Sequence, residues 1–221
     1  MNRILVGFLI ALIIPNAANK GDSPSVVVED LPVSVSLDVP FTSQAPTGDW
    51  KQPFFDSCEE AALLMVHSFF SGKKLDSVNI AKEELLKIVD WEVETFGYFK
   101  DTNSEETAQI LREMLGHERV EVVYDFSFDE LKWHLSQGRP VILPAAGRLL
   151  ENPYFRPPGP PYHMFVVTGY TAAGSYITNE PGTKKGRGLV YSQEVLENAV
   201  HDWNNGDVIN GRRAMIVVWD S

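Results

Sequence analysis

Residues 58–70 contain Ala61, Ala62, Leu64, Met65, Phe69 and Phe70, so apolar side chains fall on every side of the helix this spacing predicts. A helix that is hydrophobic all round has to be buried. Whatever the chain folds into must therefore surround this segment. Asp56 and Ser57 offer an N-cap just before it, and Gly72 ends it. Glu59 and Glu60 fall in its first turn, where they read as charges suited to the helix dipole. Cys58, the only cysteine among 221 residues, opens the helix.

Around this segment the pattern is α+β, with helices first and strands later. Residues 37–50 hold Pro40, Pro46 and Gly48 and read as extended and turning. Further helices are expected over 76–94, 104–115, 127–137 and 192–202. Strands are expected over 120–124, 139–144 and 213–219, with a hairpin made by 163–170 and 175–179. The loop over 147–161 is long and rich in proline, and such loops often line binding sites, so it is expected to line the substrate. No internal repeat interrupts this order.

Formal net charge is −11 with no basic stripe, which argues against a nucleic-acid partner. Met1-Asn2-Arg3, an apolar run to Pro15 and then Asn16-Ala17-Ala18 resemble a signal peptide or a short membrane anchor over 1–18. A polar linker over 19–36 and one domain over 37–221 follow. The expected location is outside the cytoplasm, secreted or held at the cell membrane, and the expected state is a monomer. One thiol cannot build a cysteine-rich zinc site, and the five histidines lack close ligand spacing, so neither a metal nor another cofactor is expected. Residues 202–207 have some calcium-loop composition but lack its spacing and its closing glutamate, and read as a turn.

At a helix start, unpaired N–H groups and the dipole favour a thiolate. Glu59 and Glu60 would oppose it, so a nearby imidazolium is needed. His67 lies too far along the same helix. His117 and His134 sit at polar helix ends where solvation is expected, and His201 belongs to an exposed-looking segment. His163 differs, because it opens an apolar strand straight after the proline-rich loop. Asn179 and Glu180, which end the next strand, could each accept the Nδ1–H of His163 and fix its tautomer.

Cysteine on an early helix, histidine on a later strand and a polar residue on the next is the papain-type order. Val39-Pro-Phe-Thr-Ser-Gln44-Ala-Pro, Cys58-Glu-Glu-Ala61, His163 leading into Val166-Val-Thr-Gly169-Tyr170, and Asn179-Glu-Pro-Gly182 together resemble the double-glycine, bacteriocin-leader-processing cysteine peptidases. Stand-alone exported members are the nearer likeness, over about residues 37–221. The resemblance implies a papain-like fold, a helical half packed on an antiparallel sheet half with the cleft between. It implies Cys58 as nucleophile, His163 as base, Gln44 as oxyanion donor and a peptide or protein substrate. Gln52 is a rival for the oxyanion position by its spacing to Cys58. The family places an aspartate before the proline, and Glu180 stands there instead. The membrane domain and ATPase of the family's exporters have no counterpart here, and no phosphate-binding Gly-rich Lys-Ser/Thr loop is present. Two further readings use the same residues: a non-catalytic peptide- or cell-wall-binding module, and a cell-wall amidase or transpeptidase.

Overall fold

The computed structural model describes residues 31–219. The apolar segment forms helix α1, Cys58–Ser71, with residues 61–66 all at most 1% exposed. It ends at Gly72 with φ 68°, the left-handed conformation that glycine adopts at least cost. A single 3₁₀ turn, Phe54–Asp56, leads into it. Ser57 does not cap it with its side chain as expected. The 3₁₀ turn brings the Pro53 carbonyl within reach, and the Ser57 hydroxyl donates there at 3.1 Å.

In chain order the other elements are β1 Val35–Ser36, α2 Val78–Phe96, α3 Ser104–Glu113, β2 Val120–Tyr124, α4 Phe128–Ser136, β3 Val141–Ala145, β4 His163–Tyr170, β5 Tyr176–Asn179, β6 Arg187–Tyr191, α5 Gln193–Ala199 and β7 Ala214–Val218. The helix starts follow their caps. The Ser77 hydroxyl accepts from Asn79 N, which sets α2 two residues later than the periodicity suggests. Asn103 and Glu106 form a reciprocal capping box at α3. β6 falls in a stretch where the sequence gives no strand pattern.

The strands form one antiparallel sheet in the order β2-β7-β3-β4-β5-β6, with β1 also paired to β4. Side chains alternate across it. Ile142, Met164, Val166 and Ile216 pack with α1, α2 and α3 on one face. Val141, Leu143, Phe165, Val167, Met215 and Val217 pack with Leu131, Leu135 and Leu196 of α4 and α5 on the other. Covered on both sides, β3, β4 and β7 are buried throughout, which is why they read as unbroken apolar runs.

β1 meets β4 so closely that a Cβ on Gly169 would lie 2.1 Å from Val35 O. Only glycine permits that approach. The sheet therefore takes in Val35 and Ser36, two residues ahead of the expected domain start. The expected leader over 1–18 and most of the linker lie outside the described residues. Among the described residues no helix is long and apolar enough to cross a membrane.

Candidate active site

Segments far apart in sequence meet at the head of α1. Gln44 N–H and the Ser43 hydroxyl both donate to Pro181 O, at 3.0 and 3.1 Å. The Gln44 side-chain Nε2 donates to Phe54 O (3.1 Å) and Phe55 O (2.9 Å). Gln44 is 4% exposed and bridges the turn before Cys58 to the segment after β5. Both its N–H groups are bonded to backbone carbonyls in this conformation, so a role as oxyanion donor requires one of them to exchange. The cause is burial: an amide out of water takes the backbone acceptors at hand. Gln52, the rival, is exposed and donates to Asp56 Oδ2 at 2.6 Å.

Cys58 is 6% exposed, and its Sγ–H donates to Glu59 Oε2 at 2.9 Å. Burial first, then the Glu59 carboxylate, push the thiol well above its ordinary range, and the Met164 N–H at the start of β4 pulls the other way. Desolvation and the adjacent carboxylate both favour the neutral thiol and oppose the thiolate that the helix dipole favours. Among the described residues no hydrogen bond joins Cys58 to His163.

Glu59 and Glu60 lie in the first turn of α1, where the sequence reads them as charges suited to the helix dipole, but they are buried there. They are 1% and 0% exposed, since a helix buried all round takes its first turn inside with it. Burial raises Glu59 to about 7 and Glu60 well up. Glu92 of α2 interacts with Glu60, and burial followed by the Glu60 and Glu59 charges pushes it to about 12.

His163 is 2% exposed at the start of β4, with the Phe155 ring edge-on to it at 5.2 Å between centroids. Its Nε2 hydrogen-bonds Glu180 Oε1. The sequence predicts Nδ1 in that bond. The distal nitrogen is the one that reaches across to the end of β5, and Nδ1 is left without a hydrogen-bond partner among the described residues. Glu180 is fully buried and also accepts from Gly182 N (2.9 Å) and the Tyr191 hydroxyl (3.1 Å). A Cβ on Gly182 would lie 3.1 Å from His163 Cε1 and 3.2 Å from Glu180 Oε1, so the glycine makes room for the pair.

Asn179 does not meet His163. Successive strand residues point to opposite sides, and its Nδ2 donates instead to Val39 O at 3.0 Å and Pro40 O at 3.5 Å. It ties down the segment that carries Gln44. Of the two residues left open by the sequence, Glu180 is the one brought to the histidine.

The remaining histidines make no hydrogen bond with Cys58 or Glu180. His67 Nδ1 pairs with His117 Nε2 at 3.1 Å, and His201 bonds Gly211 O at 3.0 Å. His134, expected to be solvated, is 5% exposed, and burial with the Arg139 guanidinium lowers it to about 4. Asp202 is more than part of a turn: its buried Oδ1 accepts from Ser104 N and Trp203 N and so holds the start of α3. No sequence motif marks Tyr191 or Asn152. Asn152 Nδ2 donates to the Tyr191 hydroxyl at 2.8 Å across 39 residues, and no local pattern announces such a contact.

No curated protein matches the chain in sequence. Among solved structures, it resembles a C39-like peptidase from Bacillus anthracis, described as putative, at 16% identity and a TM-score of 0.57, over 85% of this chain and 98% of that one. A prointerpain A fragment from Prevotella intermedia gives 14% identity and a TM-score of 0.57, over 87% of this chain and 74% of that one. At these identities the likeness establishes the fold, which is the α+β papain-like cysteine peptidase fold. The model of the peptidase C39-like family matches residues 36–206, which take in the head of α1, the His163–Glu180 pair and Tyr191. With most of its length matched, the chain belongs to the peptidase C39-like family.

Proposed function

We propose that the protein is a cysteine peptidase in which Cys58 attacks a peptide carbonyl, His163 moves the proton and Glu180 orients His163. The observation that carries this reading is the buried His163 Nε2–Glu180 hydrogen bond beside the head of α1. With Nε2 committed to the carboxylate, Nδ1 is the nitrogen available to the thiol.

Proton transfer from Cys58 Sγ to His163 Nδ1 gives the thiolate. Its lone pair forms the C–S bond as the carbonyl electrons move to oxygen. The N–H groups at the start of α1 lack helical acceptors and suit the oxyanion. Gln44 adds a donor by exchanging one of its two carbonyl partners. The C–N bond then breaks, and the leaving amine takes its proton from His163. His163 next deprotonates water, which cleaves the thioester and releases the acid, and the sulfur is reprotonated. The N-terminal leader-like segment supports action outside the cytoplasm, on a peptide or protein substrate, and cell fractionation tests that placement.

A second reading, a peptide-binding module that keeps the fold, draws on the thiol bonded to Glu59 rather than to His163. Hydrolysis of labelled casein by the full chain and by Cys58→Ala separates the two. The peptidase reading expects cleavage that Cys58→Ala abolishes. Cleavage unchanged in Cys58→Ala rejects Cys58 as the nucleophile.

A further inference from the structure

Glu180 receives more than its histidine. Its Oε2 accepts from the Tyr191 hydroxyl at 3.1 Å, and that hydroxyl accepts from Asn152 Nδ2 at 2.8 Å. The sense of every bond in this chain is determined. The Tyr154 backbone N–H can only donate, and it reaches Asn152 Oδ1 at 2.9 Å, which fixes the orientation of the Asn152 amide. Asn152 Nδ2 can only donate as well, so the Tyr191 oxygen must accept there. The one proton of Tyr191 is then free for Glu180. Burial, and next the Glu180 carboxylate, hold the Tyr191 hydroxyl well above the usual tyrosine range, so it stays a donor.

Asn152, Tyr191, Glu180 and His163 are 8%, 5%, 0% and 2% exposed, so no solvent route competes with these bonds. The chain starts in the loop over 147–161. The same loop presents Phe155 edge-on to His163, and Phe155 N–H bonds Asn152 O at 3.2 Å. One short stretch thus touches the histidine ring directly and its carboxylate at second hand. Relative to an aspartate, the extra methylene of a glutamate adds a rotatable bond to the carboxylate. Tyr191 and Gly182 N–H supply the two donors that remove this freedom.

We infer that Asn152 and Tyr191 are positioning residues: they lock the Glu180 carboxylate and thereby hold His163 with Nδ1 toward Cys58. The inference rests on the peptidase reading of Cys58, His163 and Glu180. It extends that reading by giving the 147–161 loop a part in proton transfer, besides any contact with substrate.

The test is the rate of Cys58 labelling by iodoacetamide in the full chain at pH 6.5 and pH 9.5. Histidine-assisted thiolate formation governs the lower pH, and hydroxide governs the higher. Tyr191→Phe removes only the hydroxyl and leaves the ring on Phe165, 5.8 Å away. It is expected to label about tenfold more slowly at pH 6.5, the scale of one lost hydrogen bond to a charged group. At pH 9.5 it should label as the wild type does. A general loosening would change both rates. Asn152→Asp provides the second variant: an ionised carboxylate only accepts, so it turns the Tyr191 proton away from Glu180 without a change of shape, and the same selective slowing is expected. If both variants label like the wild type at pH 6.5 while Glu180→Gln is slow, the inference is overturned and the peptidase reading stands. If Glu180→Gln and His163→Ala also label like the wild type, the underlying reading falls, and the inference with it.

Discussion

The Nε2 of His163 bonds the Glu180 carboxylate, and Asn179, one residue earlier, turns its amide the other way to Val39 O. One peptide unit thus separates a residue bonded to the histidine from a residue that anchors the Gln44 segment. Different consequences follow for mutating each.

Glu180→Gln keeps the shape and removes the charge that stabilises an imidazolium. The turnover number on a casein substrate should fall by roughly a hundredfold or more, as for other carboxylates that orient a catalytic histidine. Glu180→Asp keeps the charge but cannot reach His163, Gly182 N and Tyr191 together. It should retain intermediate activity, above Glu180→Gln and below the wild type.

Asn179→Ala leaves the Val39 and Pro40 carbonyls without their donor. Chemical unfolding should show a loss of about 1–3 kcal/mol, the usual cost of an unmade buried hydrogen bond. Turnover should fall less than in Glu180→Gln. A reversal of that order would return Asn179 to the role of orienting residue.

Glu59 controls the thiol from the other side. Its carboxylate accepts the Cys58 proton and raises the thiol, and burial places its own titration near 7. Above that pH its charge opposes the thiolate, and below it the opposition lapses. Glu59→Gln should therefore speed Cys58 alkylation at pH 8, by roughly tenfold if the charge is worth about one pKa unit. The effect should shrink toward pH 6. Equal rates at pH 8 would show that the carboxylate does not act on the sulfur.

Glu92 makes stability depend on pH. Its carboxyl titrates at about 12 in the folded chain against an ordinary 4.5, so the folded state holds a proton that the unfolded state releases. The sign follows from linkage: this contribution is complete below about pH 4.5 and is lost progressively as pH rises above it. Glu92→Gln, neutral at every pH, should raise the melting temperature at pH 8 relative to the wild type. The gain should narrow toward pH 5. A gain of about 1 kcal/mol would appear as a rise of about 2–4 °C.

Much of this architecture is legible in the sequence where periodicity is strong. α1 announces itself because its apolar positions leave no polar face, and β4 because eight residues from His163 are buried on both sides. The histidine and two candidate partners, Asn179 and Glu180, follow from their places at the mouth and end of adjacent strands, and only the fold brings Glu180 rather than Asn179 to the ring. What the sequence hides is long-range chemistry. Glu59 and Glu60 look like charges at a helix start, and only the burial of the whole helix turns them into raised, partly protonated groups. Gln44 looks like a free amide, and only the fold brings the Phe54 and Phe55 carbonyls to it. β6 escapes notice because Gly186 and Gly188 break its pattern, and Tyr191 escapes with it.

The most direct test of the Cys58–His163 pair is the rate of Cys58 alkylation by iodoacetamide from pH 5 to 9, in the wild type and in His163→Ala. If His163 takes the Cys58 proton, the wild type labels at least tenfold faster than the variant near pH 6.5. Identical profiles in the two proteins, both rising only toward and beyond the free-thiol pKa of about 8.5, would contradict it.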